Sequence, residues 1–100
     1  MGSSLAVVWS DDELEPPAIG RLELHPGWVH LEGSRRGQPV SEDVALAEIT
    51  DTHLGRVQRE RIGGRQTLVL ERVNRRFPLL VSTVFGVGAL TELAERLLAG

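Results

Sequence analysis

Polar and apolar positions alternate along most of this chain with the two-residue period of β-strands, and a helical period appears only near the end. Leu5-Ala-Val-Val-Trp9 is short, apolar and β-branched, and predicts a first strand. Ser10 to Pro17 follows as an acidic loop, closed by Pro16 and Pro17, which cannot join a central ladder. Ile19 to Glu32 predicts a hairpin. Pro26-Gly27 suits the centre of a type II turn, Pro fixing φ and Gly accepting a positive one. With His25 opposite Trp28, Leu24 pairs with Val29 and Leu22 with Leu31 on one face. Glu23 then meets His30, and Arg21 meets Glu32, on the other face. One register satisfies both.

Gly33 to Pro39 contains Gly and Arg and is expected as a loop. Val44 and Leu46 alternate with polar neighbours as a strand does, but Ile49 breaks the alternation, so a bulge or half-turn is expected around Ala47-Glu48. His53 to Ile62 is Arg-rich with few apolar positions and is expected as a solvent-facing edge strand. Gly63-Gly64 reads as a two-residue hairpin centre of the primed kind, with its register left open. Thr67 to Val73 is the next strand, and Asn74-Arg75 the next turn, since Asn tolerates left-handed geometry. Pairing Arg72 with Phe77 sets Leu70 beside Leu79 and Leu68 beside Val81. Val87, Leu90, Leu93, Ala94, Leu97 and Leu98 then follow the spacing of an amphipathic helix. Ser82 or Thr83 is its candidate N-cap and Gly100 its candidate C-cap.

Seven short strands in up-and-down order and one C-terminal helix resemble the pleckstrin-homology-like superfold, in its small bacterial and GRAM-type form. The pieces that carry the resemblance are Gly20-Arg-Leu-Glu-Leu24, Gly27-Trp-Val-His-Leu31, Val44-Ala-Leu-Ala-Glu-Ile49 and Phe77-Pro-Leu-Leu-Val81. It implies a mostly β protein, a seven-stranded antiparallel barrel or sandwich capped by one C-terminal α-helix. A single domain would fill residues 1–100, with strands over about 5–81 and the helix over about 84–99. The resemblance also implies binding rather than chemistry. Many members of the superfold hold phosphoinositides through basic residues on the first two strands and the loop between them. Here that loop carries Asp11, Asp12, Glu13 and Glu15, and Arg21 is the only cation on the second strand. Four carboxylates repel an inositol phosphate, so that site is expected to be absent.

Composition narrows the classes further. The chain has 100 residues, 41% of them apolar and 25% charged, which is ordinary globular composition. Cysteine is absent, excluding disulfides, thiolate metal sites and cysteine nucleophiles. All eleven basic residues are Arg, a skew that fits the coding bias of a GC-rich bacterial genome, and the formal charge of −3 exerts no general pull on polyanions. The longest apolar runs fall far short of the roughly 20 residues of a membrane span. No cationic segment precedes an apolar one as in a secretory leader, so a cytoplasmic location is expected.

The densest chemical feature is the set Arg56, Arg59, Arg61, Arg65, Arg72, Arg75 and Arg76, seven of eleven basic residues within 21 positions. Such a face could meet an acidic membrane or an acidic partner; without interleaved aromatics it lacks a base-stacking platform, so nucleic acid is disfavoured. Arg on an edge strand also guards against edge-to-edge aggregation. Trp28 sits on the polar face of its hairpin and is the best single anchor for a protein contact. The three histidines, His25, His30 and His53, are the candidate metal ligands; His25 and His30 share that face with Glu23, but no third ligand is evident, and neither a metal nor another cofactor is expected. There is no nucleophile elbow, phosphate-binding Gly loop or HExxH spacing, so no catalytic residue is assigned and no enzyme is expected. The expected function is a non-catalytic module for protein–protein contact or self-association. The alternatives are a peripheral acidic-lipid binder using the Arg set and a small barrel holding an apolar ligand.

Overall fold

The computed structural model describes residues 3–12, 14–57, 60–83 and 87–99. Seven strands, β1 (Ser3–Ser10), β2 (Ala18–His25), β3 (Trp28–Arg35), β4 (Gln38–Ala45), β5 (Ile49–Leu54), β6 (Leu68–Arg72) and β7 (Leu79–Ser82), precede one helix, α1 (Val87–Ala99). They form one antiparallel sheet in the order β4-β3-β2-β1-β7-β6-β5. Chain neighbours therefore pair, except at two places. β1 joins β7, and β4 and β5 end up as the two edges although only the short 3₁₀ turn Leu46–Glu48 separates them. The sheet thereby curls into a half-barrel.

The hairpin of β2 and β3 has the expected register throughout, from Arg21 opposite Glu32 to His25 opposite Trp28, with Gly27 at φ +82°. Leu70 faces Leu79 and Leu68 faces Val81, also as expected, and Asn74 takes φ +59° in the turn between them. The half-turn expected at Ala47-Glu48 is the 3₁₀ turn. Glu48 Oε1 accepts the Ala45 amide at 3.4 Å, and the Glu48 carbonyl accepts Val73 N at 2.8 Å, which brings the end of β6 to the bend.

Three expectations are corrected. Gly33–Pro39 is not a loop. β3 continues to Arg35, and β4 begins at Gln38 opposite it, across a two-residue turn of Arg36 (φ +53°) and Gly37 (φ +77°). Those angles make a type I′ turn, which favours Asn-Gly; an Arg at the first position gives no such signal in sequence. His53–Ile62 is not an edge strand. The edge strand is Ile49–Leu54, and the chain leaves the ladder after Gly55, whose amide donates to Thr67 O at 2.9 Å. Gln66 Nε2 donates to Gly55 O at 2.7 Å and the Thr67 hydroxyl to Glu60 O, so side chains hold this segment where a ladder does not. Gly63 and Gly64 do form the primed turn, at φ +56° and +77°, but it is flanked by a single bridge of Ile62 and Arg65. Finally, Ser82 lies in β7 and donates to Gln66 O at 3.1 Å, while Thr83 donates to Ala6 O at 3.1 Å. The Ser82 hydroxyl therefore serves the sheet rather than the helix. Residues 84–86, where the helix was expected to start, and Gly100 lie outside the described residues.

The concave face collects every second residue. Val7, Trp9, Ala18, Leu22, Val29, Leu31, Val44, Leu68, Leu70, Leu79 and Val81 are buried there, and α1 adds Leu90, Leu93 and Leu97. Each of these helix leucines contributes on the order of 1.5–3 kcal/mol of burial, which is why a short helix stays on the sheet. Gly20 faces Gly33 across β2 and β3, and a Cβ on either would run into the neighbouring strand's backbone. This glycine pair lets the sheet coil sharply. Trp9 fills the interior and donates its indole N–H to Glu32 O at 3.4 Å.

Candidate functional site

Strand alternation sends Arg21, Glu23 and His25 of β2, Trp28, His30 and Glu32 of β3, and Asp43 of β4 to the convex face, in register. The His25 and Trp28 rings stack at 4.1 Å and 8°, and His30 meets Trp28 edge-on at 6.3 Å and 75°. Trp28 keeps 37% of its surface exposed, yet these two rings hold its orientation. Around it lie three carboxylates and one guanidinium. His30 Nδ1 is 2.5 Å from Asp43 Oδ1 and its Nε2 3.4 Å from Glu32 Oε2. Arg21 donates from Nε to Glu32 Oε1 at 2.8 Å and lies 3.4 Å from Glu23 Oε2. His25 Nε2 is 3.5 Å from Glu23 Oε1. The hydrogen bond to Asp43, and then that to Glu32, raises the proton affinity of His30. In return His30, and then Arg21, holds the Glu32 carboxyl below its ordinary value. The face is thus a rigid indole in an acidic frame.

Among the described residues the arginine set does not form a comparable surface. Arg72 alternates inward on β6 with Leu68 and Leu70, and its side chain is 1% exposed, so it is no surface residue at all. It donates from Nη1 to Glu42 Oε1 at 2.9 Å, inside the half-barrel. Arg75 Nη2 reaches to 3.9 Å from the same oxygen. Arg61 turns back on its own segment, toward Gly64 O at 3.5 Å and Gln66 Oε1 at 3.4 Å. Arg56 and Arg65 are exposed before β6 begins, Arg75 and Arg76 after it ends, and Arg59 lies outside the described residues. Trp28 is therefore the sequence candidate around which the fold concentrates chemistry.

The acidic loop is tied down as well. Arg35 donates to Pro16 O at 2.7 Å and to Asp11 Oδ1 at 3.3 Å, with its guanidinium 5.8 Å over the Trp9 ring. The neighbouring Glu42 carboxyl, and then Arg35, holds Asp11 below its ordinary value. Burial, and then Asp11, pushes Glu42 up. The third histidine, His53, stands on the convex face of β5 with Nδ1 2.8 Å from Asp51 Oδ2 and Nε2 3.5 Å from Glu60 Oε2. The hydrogen bond to Asp51 leads in raising its proton affinity. The partners of Asp43, Glu42 and Glu60 were not identified from sequence. No sequence signal marks these pairings, because they are set by strand register or by a folded-back loop.

Comparison with family models, with curated proteins and with solved structures gives no match for this chain. Among the described residues no helix is long and apolar enough to cross a membrane.

Proposed function

We propose that this chain is a non-catalytic binding module of pleckstrin-homology-like architecture, acting in the cytoplasm, whose partner is a protein that presents a basic segment to the Trp28 face. The observation that carries the reading is the stacked, half-exposed Trp28 set among Glu23, Glu32 and Asp43. A pre-oriented aromatic gives a hot spot at little entropic cost, and the acidic frame selects a cationic neighbour. The up-and-down strand order with a helix on the concave face supports the architectural part.

The alternatives draw less support. A membrane surface would need the arginines together, whereas Arg72 is interior and Arg61 is turned to its own loop. An apolar ligand held beneath the helix would use the groove between α1 and β1–β2, lined by Leu5, Leu22, Leu24 and Leu93. At about 210 Å³ that groove is below the roughly 300–1,000 Å³ of ordinary ligand sites.

The test is an amide and indole shift titration of the labelled chain with an extended Arg/Lys-rich peptide and, separately, with acidic lipid vesicles. The peptide should move the Trp28 indole N–H and the β2–β4 amides, and Trp28→Ala should abolish this without unfolding the chain. Shifts confined to residues 56–76 with vesicles, lost as salt rises, would replace this reading with the membrane one. Silence of the Trp28 face toward the peptide would also overturn it.

A further inference from the structure

We infer that Asp51, His53 and Glu71 form a binding site for a first-row divalent cation, zinc being the best match, on the convex face of β5 and β6. One donor atom from each of the three residues lies within 4.8 Å of the other two. A nitrogen and two carboxylate oxygens suit zinc, and three protein ligands leave a fourth position for water or for a partner's side chain. Zinc at about 2.0–2.2 Å from each donor needs the donors about 3.4 Å apart in tetrahedral geometry. Asp51 and Glu71 are exposed, so rotamer changes can close the difference.

The strand geometry builds this arrangement on purpose. Ile49 faces Arg72 on the concave side, and an unbroken ladder would send Asp51 to that side too. A bulge at Thr50 shifts the register, so that Asp51 lies opposite Glu71 and His53 opposite Val69, all on the convex side. Thr50 donates its hydroxyl to Glu71 O at 3.2 Å and fastens the bulge to the strand that carries the third ligand.

Charge supplies an independent reason. Two carboxylates directly opposite on adjacent strands repel. Elsewhere on the sheet Arg21 answers Glu23 and Glu32, and Arg72 answers Glu42. Among the described residues no guanidinium pairs with Asp51 or Glu71, and a cation between them would remove the repulsion.

The far side of the histidine fits as well. Glu60 faces Nε2 at 3.5 Å, and its Oε1 accepts the Arg56 amide at 3.0 Å, which fixes the carboxylate in place. A carboxylate behind a ligating imidazole orients the ring and holds its tautomer, leaving Nδ1 to face Asp51 and the cation. At His30 carboxylates also face both ring nitrogens, but there Arg21 already neutralises Glu32.

The test titrates the metal-free, labelled full chain with zinc chloride and follows ring and amide shifts, with calorimetry for the stoichiometry. One equivalent should shift the His53 ring and the Asp51 and Glu71 amides, reversibly with a chelator. Glu71→Gln and His53→Gln should each weaken binding at least tenfold while the remaining spectrum stays native. Glu60→Gln, which touches no metal, should cost roughly 10–100-fold. His30→Gln should bind as the parent does. Zinc that moves His25 and His30 instead, or a Glu71→Gln variant that binds like the parent, would overturn the assignment.

Discussion

Arg72→Met tests the most unusual feature of the interior, an ion pair standing where alternation calls for a hydrophobic residue. The Arg72 side chain is 1% exposed and Glu42 17% exposed, with Nη1 and Oε1 2.9 Å apart. Breaking a buried pair by removing one partner costs roughly 3–5 kcal/mol, because the remaining charge is left uncompensated. Glu42 keeps a little solvent, and burial already raises its proton affinity, so it takes up a proton more readily than an ordinary carboxylate and the cost falls near the lower end, about 3 kcal/mol. For a domain of this size that lowers Tm by roughly 12–24 °C. Replacing both residues, Arg72→Met with Glu42→Leu, has a different outcome. Among the described residues Arg72 Nε and Nη2 and Glu42 Oε2 have no hydrogen-bond partner, so the native pair carries desolvation that it does not recover. The double variant should therefore regain most of the loss and equal or exceed the parent. Urea unfolding of all four proteins, with slopes checked for a common two-state transition, gives the coupling energy directly. A cost under about 1 kcal/mol for Arg72→Met, or a double variant no better than the worse single one, would refute the reasoning.

Other outcomes follow from the same geometry. Leu93→Ala, which empties the middle of the helix contact, should cost about 2–5 kcal/mol by the same urea assay, whereas Thr91→Ala on the exposed side should cost far less. Arg36→Asn puts the favoured pair in the type I′ turn and should stabilise by about 0.5–1 kcal/mol, read as a rise in the urea midpoint with an unchanged slope. His30 has a raised proton affinity in the fold. Its contribution to stability is therefore complete below its ordinary value of 6.5 and fades as pH rises through the folded value. Asp43→Asn should lower the His30 midpoint in a ring-proton titration and flatten that part of the stability profile; an unchanged midpoint would exclude the Asp43 contact as the leading cause.

Local chemistry alone determined a good part of this protein. The β2–β3 register was legible because two independent faces, one apolar and one charged, agree on a single alignment around Pro26-Gly27. The helix face was legible because Leu90, Leu93 and Leu97 repeat with a period that no strand shares. Where one residue must adopt a conformation its chemistry does not advertise, as Arg36 does at φ +53°, pattern reading gave a loop in place of a hairpin. The long segment after Gly55 was misread as a strand because its hydrogen bonds come from Gln66 and Thr67 side chains and not from a ladder. The chemistry of the surface belonged to tertiary structure still more completely. Arg72 looks like its neighbours in a run of arginines, and only the inward turn of β6 toward Glu42, thirty residues away, makes it interior. His30 finds Asp43 through the β3–β4 register, and Asp51 finds Glu71 through one bulged residue. Alternation is local, with a period of two, and is written in the chain; which strand lies next door depends on the closure of the whole sheet.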